Sequence, residues 1–196
     1  MNTRATILQA IRRHKPEAKE RPPLLDELRG EHSNLLSTFC SQLLVVGAEW
    51  VNEEEMGTWS VFLTNHYENA NRIVSTIPAL QKAGIETLPQ TKETDELWDI
   101  DVAIVEGKLG VAENGAIWLP EGQLPHRVLP FITQHLIIRL HQKDLVANMH
   151  QAYEKLPHEE LGYGLFVAGP SKTADIEQSL VKGAQGARTT LVVLYA

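Results

Sequence analysis

Cysteine is nearly absent: Cys40 is the only one in 196 residues. A single thiol excludes an internal disulfide and any iron–sulfur cluster held by several thiolates of this chain alone. Cys40 sits in the apolar run Leu35–Leu44, whose spacing is helical, so a buried, inert thiol is expected. No apolar run approaches the ~20 residues of a transmembrane helix. The start, Met1-Asn2-Thr3-Arg4, leads into no hydrophobic segment with a small-residue cleavage site, so no signal peptide and a cytoplasmic location are expected. The histidines form no His-Glu-x-x-His pattern, and His126, His135, His141 and His150 have no metal-ligand spacing, so no metal is expected. Basic residues are the minority, 18 Lys and Arg against 25 Asp and Glu, a formal charge of −7. That balance argues against nonspecific nucleic-acid or anionic-membrane binding and leaves room for a local basic pocket.

What is present is an ordinary globular composition, 43% apolar and 22% charged, with no repeat and no low-complexity tract. The length suits one well-buried domain with a helical appendage, divided here as 1–30 and 31–196. Periodicity predicts helices over Thr3–His14, Asn34–Val46, Glu53 through Leu63, Thr91–Trp98, Asp144–Leu156 and Thr173–Lys182. Lys15–Pro23, polar and with three prolines, reads as a flexible stretch. Strands are predicted at Ala48–Val51, Arg72–Leu80, Val102–Val105, Ala116–Leu119, Val128–Ile132, His135–Leu140, Leu165–Ala168 and Thr190–Tyr195. Strands alternating with helices imply a layered α/β sheet, and the close strands around Gly115 imply that part of it is antiparallel.

The most informative segment is Val167-Ala168-Gly169-Pro170-Ser171-Lys172-Thr173-Ala174-Asp175-Ile176-Glu177, continuing to Gly183, Gly186 and Arg188. An apolar run meets a Gly-Pro-Ser break, and Ile176, Leu180 and Ala184 then recur on one helical face. Ser171 or Thr173 can cap that helix, with Asp175 and Glu177 suiting its dipole. Free amides at such a turn bind anions, and Lys172 and Arg188 are the candidate cations. The plainer reading is a strand–turn–helix corner with no ligand. A Walker P-loop is excluded, because Ser171 and Phe166 stand where its glycines belong. His135 lies in an apolar run and reads as a satisfied core histidine.

Glu113-Asn114-Gly115 is the second candidate. A glutamate there can accept an acyl group and split acyl transfer into easier steps. Asn-Gly is equally a common turn, whose glutamate bonds to turn amides.

These residues carry a family resemblance over roughly the last half of the chain. Gly110-Val-Ala-Glu113-Asn114-Gly115, Arg127…Pro130…His135-Leu136-Ile137 and Gly169–Glu177 with Gly183, Gly186 and Arg188 resemble the lactate-utilisation (LUD domain) family. The resemblance implies a NagB/RpiA/CoA transferase-like fold: three-layer α/β/α with a mixed sheet, here with an N-terminal helical segment. It also implies a role in oxidising L-lactate to pyruvate, beside iron–sulfur oxidoreductase subunits. Glu113-Asn114-Gly115 is similar, too, to the Ser-Glu-Asn-Gly motif of CoA transferases, whose Glu is the acyl-accepting nucleophile. Asn114 departs from the lactate family's usual Thr, and Gln185 and Ala187 from a His and a Pro. A proton transfer by that His is therefore closed to this chain. Two functional readings follow: a cluster-free accessory subunit with a small-anion or nucleotide-like pocket, and an independent CoA-transferase-like, phosphosugar or folate-type enzyme using Glu113. A third is a binding or assembly module without catalysis. The resemblance names no cofactor for this chain. The proposed ligand contacts are Asn114, Gly115, Gly169, Pro170, Ser171, Lys172, Thr173, Asp175 and Arg188.

Overall fold

A computed structural model describes residues 3–17, 19–20, 34–89, 94–156, 162–173 and 181–196. Three long apolar runs dictate its centre. They become β4 (Val102–Glu106), β7 (His135–His141) and β12 (Thr189–Tyr195). With β1 (Glu49–Asn52), β2 (Ile73–Ser75) and β3 (Glu86–Thr87) they form a sheet in the order β1-β12-β7-β4-β2-β3, parallel at every pairing. Parallel strands are buried on both faces, which is why these runs are continuous rather than alternating.

Successive side chains still face opposite ways. Val102, Ile104, Ile137, Leu191 and Val193 pack toward α3 (Trp59–His66) and the 3-10 helix Pro78–Ala83. Ala103, Val105, Leu136, Ile138, Leu140, Val192 and Leu194 face the other way, onto Phe39 and Leu43 of α2 (Leu35–Val46). That second face is also covered by a smaller sheet. It consists of β5 (Leu109–Val111), β6 (Ala116–Pro120), β8 (Leu145–Val146) and β9 (Gly164–Val167), in the order β8-β5-β6-β9. Its β5–β6 and β6–β9 pairings are antiparallel, so the mixed strand directions are gathered here. Helix α5 (Met149–Lys155) packs on the outer side of this small sheet through Ala152. Phe39, Leu43, Ile104, Ile137, Ile138 and Leu140 are fully buried, each worth roughly 1.5–3 kcal/mol of apolar burial.

Caps fix the helices the sequence announced. Asn34 Oδ1 accepts from Ser37 N at 3.1 Å, and Gly47 ends α2 at φ +80, a conformation side chains disfavour. Helix α1 (Thr3–Arg13) buries no residue. The other predicted segments fare unevenly. Thr58, not Glu53, caps α3. Only Ile73–Ser75 of the Arg72–Leu80 run is strand, because Pro78 starts the 3-10 helix. Val128–Ile132 is not strand: Pro130 sits in the first turn of a short helix, α4 (Leu129–Ile132). The helix predicted over Asp144–Leu156 begins only at Met149, behind the Asn148 cap. No helix forms at 94–98, where the chain turns, and 91–93 lie outside the described residues. The helix Thr173–Lys182 is corrected at both ends. Lys172–Thr173 (β10) and Val181–Lys182 (β11) pair as an antiparallel ribbon, with 174–180 outside the described residues.

Candidate functional site

The parallel sheet has a point where its winding reverses. From β2 the chain moves outward to β3, then crosses back to β4 and continues through β7 to β12. Loops leaving the carboxyl ends of β2 and β4 therefore diverge, and open α/β sheets bind ligands in the crevice this creates. A cavity of about 350 Å³ lies there, lined by Thr76, Ile77, Leu88, Glu106 and Gln123 among others. Glu106 ends β4. Tyr195 Oη, from the end of β12, donates to Glu106 Oε1 at 2.6 Å, and Arg139 of β7 reaches the same oxygen at 3.5 Å. Arg139 also holds Glu53, just past β1, with two bonds of 2.8 Å, and its guanidinium lies 3.6 Å over the Tyr195 ring. Trp59 Nε1 donates to Glu53 at 3.0 Å. Four neighbouring strands thus hold one charged network at their carboxyl ends.

The electrostatics follow from that geometry. The hydrogen-bonded Arg139 guanidinium holds the Glu53 carboxyl below its usual range against the opposing effect of burial, and the Trp59 bond helps. The same contact pushes Arg139 up. Burial, reinforced by the bond to Glu106, pushes the Tyr195 phenol up to about 12. Among the described residues both bonds to the Glu106 carboxylate fall on Oε1. Its carboxylate is thereby held in place while Oε2 keeps its lone pairs, suited to accepting a hydroxyl at the crevice. Gln123 closes one side; with its amide turned so that oxygen and nitrogen exchange places, it donates to Glu106 O and accepts from Lys108 Nζ, both at 2.9 Å.

The residues singled out from sequence are placed elsewhere. Glu113, Asn114 and Gly115 form the β5–β6 turn. Glu113 Oε1 accepts from Met149 N at 2.8 Å, the first amide of α5, so this exposed carboxylate caps a helix. Asn114 Oδ1 accepts from Ala116 N, an Asx turn, and Gly115 at φ +69 packs against the backbone of Gln42 and Leu43. Gly169, Ser171 and Lys172 line a different cavity of about 260 Å³ with Leu136 and Thr190, at the amino ends of β7 and β12. Residues 113–115 do not line it. Pro170 is buried beside it. The amides expected for an anion are partly engaged: Ser171 N donates to Ala187 O, and Ser171 Oγ accepts from Gln185 N. Thr173 is a ribbon residue rather than a helix start. Lys172 Nζ donates to Val46 O at the end of α2, where a cation suits the helix dipole. Arg188 is exposed; its backbone N donates to Gln134 O. Asp175 lies outside the described residues. His135 shares a 2.8 Å bond with Thr189 Oγ1, and burial, then Arg188, lowers its pKa. Among the described residues no three His, Cys, Asp or Glu are grouped as a metal ion would need.

Sequence reading passed over Glu53, Glu106, Arg139 and Tyr195 because no local motif joins them: the bonds span 86 and 89 positions. The available signal was a charged residue within or closing each buried strand, as in Val102-Ala-Ile-Val-Glu106 and Leu136-Ile-Ile-Arg139.

Comparison with known proteins fits this architecture. A Deinococcus radiodurans protein of the DUF162 family, solved as a crystal structure, is similar with a TM-score of 0.62 at 18% identity. That likeness covers 83% of this chain and 96% of the other, and at such identity it speaks for the fold alone. Lactate utilization protein C of Halalkalibacterium halodurans is 27% identical over 186 residues, 82% of this chain and 79% of that protein. Its namesake from a Geobacillus species (strain WCH70) is 30% identical over 102 residues, 48% of this chain and 42% of the relative. The LUD domain family model matches residues 4–195, nearly the whole chain, and the protein belongs to that family.

Proposed function

We propose that the protein serves the oxidation of L-lactate to pyruvate in the cytoplasm, as an accessory subunit beside iron–sulfur partner subunits. Its own site, on this reading, is the crevice at Glu106, taking a hydroxyl-bearing, nucleotide-like ligand. Family membership and relatives named for lactate utilisation support the role. The single cysteine supports the division of labour, since a cluster with several thiolate ligands needs other chains.

One observation carries the site: the Glu106 carboxylate, held through Oε1 by Tyr195 and Arg139, lines a cavity at the winding reversal of a parallel sheet. A carboxylate beside such a crevice is how related sheets bind ribose hydroxyls. The fixed charges of Glu53, Arg139 and Glu106 sum to one negative, which favours a hydroxyl-bearing group over a small bare anion. Glu113 as an acyl-accepting nucleophile has less support, because its carboxylate is bonded to the α5 amide.

Anaerobic isolation of the tagged chain from lactate-grown cells tests the role. Iron is expected in co-purifying subunits; stoichiometric iron in the isolated chain would overturn the proposal. Thermal shift with adenine nucleotides tests the site. Stabilisation is expected in the wild type and in Glu113→Gln and lost in Glu106→Gln; equal stabilisation in all three would move the site elsewhere.

A further inference from the structure

The cavity at the amino ends of β7 and β12 is separate from the Glu106 crevice, and its chemistry is different. Its floor is the cross-strand pair Leu136 and Thr190. Thr190 is only 3% exposed, yet its hydroxyl has no hydrogen-bond partner among the described residues. Buried polar groups are normally paired, and an orphan lining a cavity marks where a ligand's polar group completes the site. Phe131 of α4, 46% exposed, and Leu165 and Val167 of β9 form the walls. An aromatic left open beside a hollow is surface that an apolar ligand body covers.

The rim is basic within an acidic protein. Lys172 lines the cavity and stands directly opposite Lys182 in the β10–β11 ribbon. Like charges directly opposed in this way are unfavourable. Neither lysine has an ion pair among the described residues, and Lys172 bonds only the neutral Val46 carbonyl. A bound anion relieves that repulsion. Scaling from a cavity of 150 Å³ that takes benzene, about 260 Å³ accommodates a ligand of about ten non-hydrogen atoms.

We propose that this cavity is a binding site for an aromatic carboxylate bearing a hydroxyl. The carboxylate meets Lys172 and Lys182 at the rim, the ring lies against Phe131, Leu165 and Val167, and the hydroxyl pairs with Thr190. The simplest probe of this class is 4-hydroxyphenylacetate, with phenylacetate as the analogue lacking the hydroxyl.

Calorimetric titration of both acids into the wild type and Thr190→Val tests it. Valine keeps the shape and removes only an unpaired hydroxyl, so the variant folds. Thr190→Val is expected to weaken 4-hydroxyphenylacetate about tenfold, the worth of one buried hydrogen bond, and to leave phenylacetate within about twofold. Lys182→Gln is expected to weaken both acids, and amide shifts should cluster at 165–172 and 185–190. Absence of saturable binding at millimolar acid overturns the proposal. So does a Thr190→Val effect equal for the two acids, or shifts confined to the Glu106 crevice.

Discussion

Replacing Arg139 with methionine tests whether the carboxyl-end network is held by its one cation. Methionine keeps the length and apolar stem of the side chain but leaves the carboxylates of Glu53 and Glu106, beyond β1 and on β4, without the cation that lies between them. The side chains of Arg139, Glu53 and Glu106 are 22%, 24% and 19% exposed, so the pairs are neither dry nor freely solvated. Breaking a fully buried pair costs about 3–5 kcal/mol and an exposed one under about 1. The partial exposure here places the loss at roughly 2–3 kcal/mol near pH 7. For a chain of this size that is a fall in Tm of about 4–12 °C. The pH dependence gives a second handle. Arg139 holds the folded Glu53 pKa down, so this stabilisation is present above the unfolded carboxylate pKa and is lost as pH falls through the folded value. The gap between wild type and Arg139→Met should therefore be widest at neutral pH and narrow below about pH 4. Urea unfolding at pH 7 and pH 4 measures both. A loss under about 0.5 kcal/mol at pH 7, or one unchanged at pH 4, would show that the network is ornamental.

Three further outcomes are expected. Gly164→Ala would set a Cβ 2.3 Å from two ring atoms of Trp118 and should cost about 1–3 kcal/mol in urea unfolding, through overpacking between β6 and β9. Burial pushes Tyr67, like Tyr195, up to about 12, so ultraviolet titration of Tyr67→Phe should match wild type up to about pH 11 and lose amplitude only above it. Glu113→Gln retains an oxygen for the Met149 amide and should change stability by less than about 1 kcal/mol, measured by thermal melting.

Much of the architecture was legible because it rests on local patterns. Val102–Val105, His135–Leu140 and Thr190–Tyr195 announce themselves as continuous apolar runs, and helical spacing over Asn34–Val46 marks α2. Val128–Ile132 misled because its apolar run suits strand and helix equally, and Pro130 in the first turn decided for helix. The 173–182 helix misled at both of its ends. Ile176, Leu180 and Ala184 have helical spacing, but the pairing of Lys172–Thr173 with Val181–Lys182 is a tertiary choice invisible to a periodicity count. Glu113 drew attention because a short motif surrounds it. Glu106 did not, since its partners Arg139 and Tyr195 come from strands aligned only by the parallel register. Family resemblance was carried by motifs; the network was carried by topology.

The central claim, that the working site lies at Glu106 rather than at Glu113, is tested most directly by lactate-dependent dye reduction in a complex of this chain with the iron–sulfur subunits proposed above. The two carboxylates are replaced one at a time, and partner binding is verified for each variant. Glu106→Gln is expected to lower the rate at least tenfold, in the range of a group lost from an active site, while Glu113→Gln stays within about twofold of wild type. The reverse pattern, with Glu113→Gln inactive and Glu106→Gln at the wild-type rate, would contradict the account.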